Sequence, residues 1–264
     1  MITTIQEVLH TLKESAGHMD DGVDILHYGE TDAIVTGIAT AFVASQYVIE
    51  RAKSLGVNLI ITHEGLFYSH FGHKELTAED PVVQEKQRFI VESGIAIFRC
   101  HDLIHHYKPD GIMAGLLQEL EWTELVQEHM PYATILNVPE ITVHEVVNHV
   151  KNKLNISHVR VVGNIDLPCR RIGLLVGYRG GGGQAIPLYE KENLDLIIYG
   201  EGPEWETPEY VRDAVFQNRQ RALMVVGHAE SEWPGMKYLA NWIQDKFPNI
   251  PVQFIPEEPV FQII

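Results

Sequence analysis

Asn58-Leu59-Ile60-Ile61-Thr62-His63-Glu64-Gly65 reads as a short buried strand that ends abruptly in two reactive side chains and a glycine. Val57 and Leu59 to Ile61 supply the apolar run. His63 and Glu64 are strong metal ligands and proton carriers. In an open α/β sheet, ligands bind outside the carboxyl ends of the strands, which is where this pair falls.

The flanking segments extend the pattern. Ala33 to Ile38 reads as a strand, and Ala41 to Leu55 as an amphipathic helix with Val43, Tyr47, Val48 and Leu55 inward, stopped by Gly56. Strand, helix and strand make a βαβ unit with parallel strands and a right-handed crossover. Asp80-Pro81 opens a helix that Gly94 breaks, and Ile95 to Cys100 is the next strand. It runs into His101-Asp102-Leu103-Ile104-His105-His106. A helix from Thr3 or Thr4 to Glu14 precedes these elements, and one from Gly111 to Leu120 follows them.

Pro131 to Pro139 reads as a connection with possible strand character and marks the expected domain boundary, giving halves 1–128 and 129–264. Thr142-Val143-His144-Glu145 is a capping box. Strands are expected at Val159–Val162, Ile172–Val176, Leu194–Tyr199, Ala222–Val226 and Val252–Ile255. Helices are expected at Ala185–Glu192, from Thr207 to Asn218, and from Pro234 to Lys246. The glycines Gly180 to Gly183 lack the Lys-Ser/Thr of a phosphate loop and read as a tight strand–helix turn.

The halves resemble each other. Leu59-Ile60-Ile61-Thr62-His63-Glu64-Gly65 lines up with Leu196-Ile197-Ile198-Tyr199-Gly200-Glu201-Gly202, and Ile97 to His101 with Met224 to His228. The fold class is therefore α/β, two similar domains from an internal duplication. Each half carries a strand followed by His, three residues and a second ligand: His101…His105 and His228…Glu232. A spacing of i and i+4 puts both side chains on one face of a helical turn, where they can reach one ion. His63 and Glu64 alternate faces in a strand, but at a strand end they can reach two neighbouring ions. Glu201, the repeat partner of Glu64, reads as solvent-facing or as a further ligand.

Composition limits the function. A formal net charge of −16 repels phosphate backbones, so nucleic acid is an unfavourable partner. No apolar run is long enough to span a bilayer, and the two cysteines, Cys100 and Cys169, read as buried thiols of a reducing compartment. A cytoplasmic protein with no membrane or nucleic-acid partner is expected.

On these motifs the chain resembles the Nif-three-like dinuclear metal centre proteins, also called GTP cyclohydrolase 1 type 2 homologs, over nearly its whole length. That family shows a strand ending in His-His, a later strand followed by His-x-x-x-Asp, and a C-terminal Gly-His-x-x-x-Glu. The corresponding residues are His63-Glu64, His101…His105 and Gly227-His228…Glu232; Val159 to Gly163 and the glycines after Gly177 also match. Glu64 stands where the family has His, and His105 where it has Asp. The two exchanges compensate, leaving three imidazoles (His63, His105, His228) and two carboxylates (Glu64, Glu232). The resemblance thus implies a rearranged site for two divalent ions, with Zn, Fe and Mn equally suited. His101 is then an outer or extra ligand and the candidate proton shuttle, the one catalytic residue expected outside the ligand set. The resemblance also implies metals in the cleft between the domains and a ring-like homohexamer. The expected function is a metal-dependent hydrolase of a small molecule, and the alternative is a non-catalytic metal-binding scaffold or regulatory protein.

Overall fold

The computed structural model describes residues 2–17, 22–70 and 79–264, which divide into two compact units: Met1–Gly111 with Gly235–Ile264, and Ile112–Pro234. The first unit begins with α1 (Ile5–Ala16), whose Ile5, Val8, Leu9 and Leu12 are buried behind a Thr4–Glu7 capping box. β1 (Leu26–Tyr28), β2 (Ile38–Ala41), α2 (Gln46–Ser54), β3 (Leu59–Thr62), α3 (Pro81–Ser93), β4 (Ala96–Arg99) and α4 (Asp102–His106) follow. β2, β3 and β4 are mutually parallel, so the expected βαβ unit is present and is extended through α3 to β4. All residues of these three strands are buried, which explains their unbroken apolar pattern.

Two local expectations shift. The strand expected at Ala33–Ile38 begins only at Ile38. Ile34 is exposed and joined to Thr4 by a lone bridge, while the Asn58 side chain takes the Thr36 amide and the Ile34 carbonyl. α2 starts at Gln46 because the Ser45 hydroxyl caps it, and Tyr47 points outward rather than inward.

The second unit comprises α5 (Gly111–Glu119), β5 (Val126–His129), β6 (Thr134–Thr142), α6 (Val143–Leu154), β7 (Arg160–Val162), β8 (Pro168–Leu174), α7 (Gly182–Lys191), β9 (Leu196–Tyr199), α8 (Thr207–Phe216), β10 (Ala222–Val225) and the start of α9 (His228–Lys246). Its sheet runs β5-β6-β8-β9-β10-β7. β8, β9 and β10 are parallel and β7 closes the edge antiparallel to β10, just as β1 closes the first sheet antiparallel to β4. The duplicated α/β module is therefore real in topology. Its register shows what the alignment concealed. Leu59 pairs with Ala96 and Leu196 with Ala222, so His228 lies one residue further beyond its strand than His101 does.

The domain boundary needs correction. The segment Pro131 to Pro139 is no linker: Thr134, Ile135 and Leu136 are buried and paired with Leu174, Gly173 and Ile172 of β8. The final strand, β11 (Val252–Phe254), pairs in parallel with β2 and completes the first sheet in the order β1-β4-β3-β2-β11. The chain thus changes units at 111/112 and 234/235, not once at 128/129. Backbone hydrogen bonding, more than the two prolines that bracket 131–139, decides where the segment belongs. α9 also starts six residues before the expected Pro234, since the Ser231 amide already bonds the Gly227 carbonyl. At the Gly-rich turn the N-terminus of α7 receives an anion from its own unit, because Glu206 Oε2 accepts from the Gly182 amide at 2.5 Å.

The buried Thr40 hydroxyl donates to the Met236 carbonyl at 2.7 Å, tying β2 to α9. Thr40→Val is expected to cost about 1 kcal/mol, read as a lower urea midpoint at unchanged m-value.

Candidate metal centre

β3 and β4 lie side by side, with Thr62 opposite Arg99, so the residues just beyond them emerge together at the carboxyl edge. His63 follows β3; His101 and His105 flank the first turns of α4. Their rings form one cluster. His63 stacks on His101 with centroids 4.4 Å apart, and His105 meets both edge-on at 5.1 and 5.3 Å. One ligand atom from each of the three lies within 4.8 Å of the others, and the same holds for Glu64, His70 and His101.

The Nδ1 atoms of the cluster all face acceptors. His63 Nδ1 faces the Cys100 carbonyl at 3.4 Å, His101 Nδ1 faces Asp102 Oδ1 at 2.8 Å, and His105 Nδ1 faces Asp110 Oδ2 at 2.9 Å. A carbonyl or carboxylate can only accept, so each Nδ1 carries a hydrogen. That is the arrangement of metal-ligating histidines. The imidazoles and Glu64 offer nitrogen and oxygen donors of the kind that could hold a metal ion. Burial, followed by the neighbouring His63, pushes the His101 imidazole down from 6.5 to about 4, so at neutral pH it is neutral, as a ligand must be. His101, read from sequence as outside the ligand set, stands inside the imidazole cluster.

Residues that sequence reasoning did not single out hold this arrangement. Asp24 receives the amides of His101 and Leu103 at 2.5 and 3.1 Å, capping α4 from 77 residues away. Arg99, closing an otherwise apolar strand, is almost fully buried. It donates to the His63 carbonyl at 3.2 Å, the His70 carbonyl at 2.6 Å and Glu64 Oε2 at 3.1 Å. Asp110 lies five residues beyond His105 and was detectable by that proximity; a lone Arg ending an apolar strand was a second available signal. Asp24 had no local signal at all.

The second unit builds a smaller arrangement at the ends of β9 and β10. His228 and Glu232 occupy one face of the first turn of α9, as the i, i+4 spacing required. His228 Nδ1 faces Glu201 Oε2 at 2.9 Å and its Nε2 faces Glu232 Oε2 at 3.1 Å. Glu201 therefore orients the imidazole and directs Nε2 toward the buried Glu232 carboxylate. The Ser231 hydroxyl accepts from the Gly177 amide at 2.9 Å and donates to the His228 carbonyl at 2.8 Å, pinning this turn to the end of β8.

The model of the Duf34/NIF3 (NGG1p interacting factor 3) family matches residues 2–259. This chain belongs to that family. A relative from Clostridium perfringens called GTP cyclohydrolase 1 type 2 homolog is 22% identical over 262 residues, 95% of each chain. One of the same name from Clostridium acetobutylicum is 25% identical over 228 residues, 83% of this chain and 80% of the relative. Among solved structures, the Staphylococcus aureus hypothetical protein SA1388 superimposes with a TM-score of 0.76 at 18% identity, covering 100% of both chains. A Bacillus cereus protein related to NIF3 gives 0.74 at 15% identity, covering 100% of this chain and 99% of that one. These structures share the NIF3 fold. Against the family pattern, the two departures each have a partner here: Arg99 balances Glu64, and Asp110 orients His105.

Two outcomes are expected of this NIF3 chain. Gly177 has φ +56°, and a Cβ there would stand 2.1 Å from Glu232 Oε1 and 3.3 Å from His228 Nε2. Gly177→Ala should therefore displace the Glu232 carboxylate and lower the melting temperature, as calorimetry would read. The second concerns pH. His101 is depressed in the folded state, so unfolding takes up a proton between about pH 6.5 and 4. Its contribution is present above that window and is lost as pH falls through it. Urea titrations of metal-free protein should show stability falling across the window, with a shallower fall in His101→Gln.

Proposed function

We propose that the chain is a dinuclear divalent-metal protein acting as a metal-dependent hydrolase on a small molecule. His63, Glu64, His105, His228 and Glu232 would hold two divalent ions, Zn, Fe or Mn. The observation that supports this reading is the shared orientation of His63, His101 and His105, whose rings form one cluster with each Nδ1 against an acceptor. The GTP cyclohydrolase 1 type 2 homolog name borne by relatives supports a hydrolytic role. Two divalent ions supply Lewis-acid polarisation of the scissile group and an acidified water. The chain's own residues do the rest. Asp102, Asp110 and Glu201 keep the imidazoles in the ligating tautomer, Arg99 fixes the Glu64 carboxylate, and His101, at the centre of the cluster, ligates or passes a proton. No helix among the described residues is long and apolar enough to cross a membrane. We propose a cytoplasmic homo-oligomer, a hexamer on the family pattern, with no nucleic-acid or membrane partner.

Metal analysis of purified protein tests the ligand set. His228→Ala should lower the bound metal per chain, and unchanged stoichiometry would reject the set. Metal-dependent turnover of nucleotides, phosphoesters or cyclic amides, lost in Glu232→Ala, separates the hydrolase from a non-catalytic scaffold.

A further inference from the structure

Tyr199 closes β9 and is fully buried, yet its hydroxyl has no hydrogen-bond partner among the described residues. Its neighbour in the same core, Tyr189, shows the ordinary arrangement and donates to the Ala222 carbonyl at 2.7 Å. A buried hydroxyl without a partner is costly, so one retained in a core points to a group that it meets in another state. Burial also pushes the Tyr199 phenol up to about 12, so it keeps its proton and stays a donor at neutral pH.

The phenol is aimed at the Gly-rich turn. A Cβ on Gly180 would stand 2.7 Å from Tyr199 Cζ, the carbon that bears the hydroxyl, so the tip of the ring lies against this turn. The turn is firmly held. The Thr207 hydroxyl donates to the Gly180 carbonyl at 2.8 Å, and the Gly180 amide donates to the Glu201 carbonyl at 2.9 Å. Two residues on, α7 starts at Gly182 with Gly181 as its cap, a residue with no side chain to satisfy the first amides. The ten residues of α7 direct the positive end of the helix dipole toward the turn. Glu206 Oε2 takes the Gly182 amide at 2.5 Å, and Glu206 is one of three charged groups, with Arg160 and Glu204, that act on the Tyr199 hydroxyl. The terminus therefore already holds an oxyanion, but a tethered one. Glu206 is fixed at the start of α8, where its carbonyl accepts from the Tyr210 amide at 3.0 Å, and its carboxylate makes no bond to the phenol.

We propose that the turn and Tyr199 form a further ligand site, built without any of the metal-ligand candidates, for the phosphate group of a small molecule. Glu206 is its built-in stand-in, and the phosphate displaces that carboxylate. A tetrahedral oxyanion presents several oxygens at once. One can accept from the Gly182 amide while another accepts from the Tyr199 hydroxyl, which the Glu206 carboxylate does not manage. Arg160, 61% exposed and paired with Glu204, is the cation at hand. The net charge of −16 restricts the site to one small ligand and excludes a polyanion.

The test titrates inorganic phosphate by calorimetry into the full chain, as purified and after chelation. Binding should survive chelation. It should weaken at least about tenfold in Tyr199→Phe, as for loss of one hydrogen bond to a charged group. It should tighten in Glu206→Ala and in the milder Glu206→Gln, which both remove the competing charge. Tyr199→Phe breaks no bond of the phosphate-free protein, so its melting temperature without phosphate should match or exceed that of wild type. A clear fall would show that the hydroxyl already has a partner and would overturn the proposal. Phosphate binding that disappears on chelation would belong to the metal centre and overturn the proposal while leaving the metal reading intact. Affinity unchanged in Tyr199→Phe would mark an adventitious ion only. Binding by neither wild type nor Glu206→Gln would equally reject the site.

Discussion

Imidazoles crowded within about 5 Å of one another make a site only if something other than the ligand holds them. Here that constraint is a hydrogen bond at each Nδ1, from His63 to a backbone carbonyl and from His101 and His105 to the carboxylates of Asp102 and Asp110. These bonds fix both the ring orientation and the tautomer. The remaining features serve them. Asp24 fixes the start of α4, and with it the backbone that carries His101 and His105. Ser231 fixes the first turn of α9 in the same way.

Arg99 plays a different part. A nearly buried guanidinium is costly unless its donors are satisfied, and here two carbonyls, a carboxylate and an imidazole nitrogen receive them. The same side chain balances the charge of Glu64 and holds the His70 carbonyl.

The duplication explains why chemistry gathers at corresponding places in the two units. Three parallel strands with an antiparallel edge strand recur in both, and in both the carboxyl ends of neighbouring strands bear the His and Glu residues. The units have since diverged in decoration. The first gathers four histidines and Glu64, while the second keeps a single imidazole gripped by two carboxylates. The first sheet also takes its last strand from the far end of the chain, which prevents a single cut from separating the units.

Much of this was legible in the residues. Apolar runs buried on both faces marked β3, β4, β9 and β10, capping boxes marked α1 and α6, and i, i+4 spacing marked the His228–Glu232 pair. Such signals are local, because strand burial, helix caps and helical spacing act over a few residues. The pairing of β11 with β2, the pairing of β6 with β8 and the cap from Asp24 join residues far apart in the chain. No periodicity records them, since they depend on which backbone and side-chain groups meet once the sheets have formed. The sequence by itself determined the strands and the ligand types at their ends. Only the tertiary structure decided which ring nitrogen each histidine offers, because hydrogen-bond partners from distant segments place the proton.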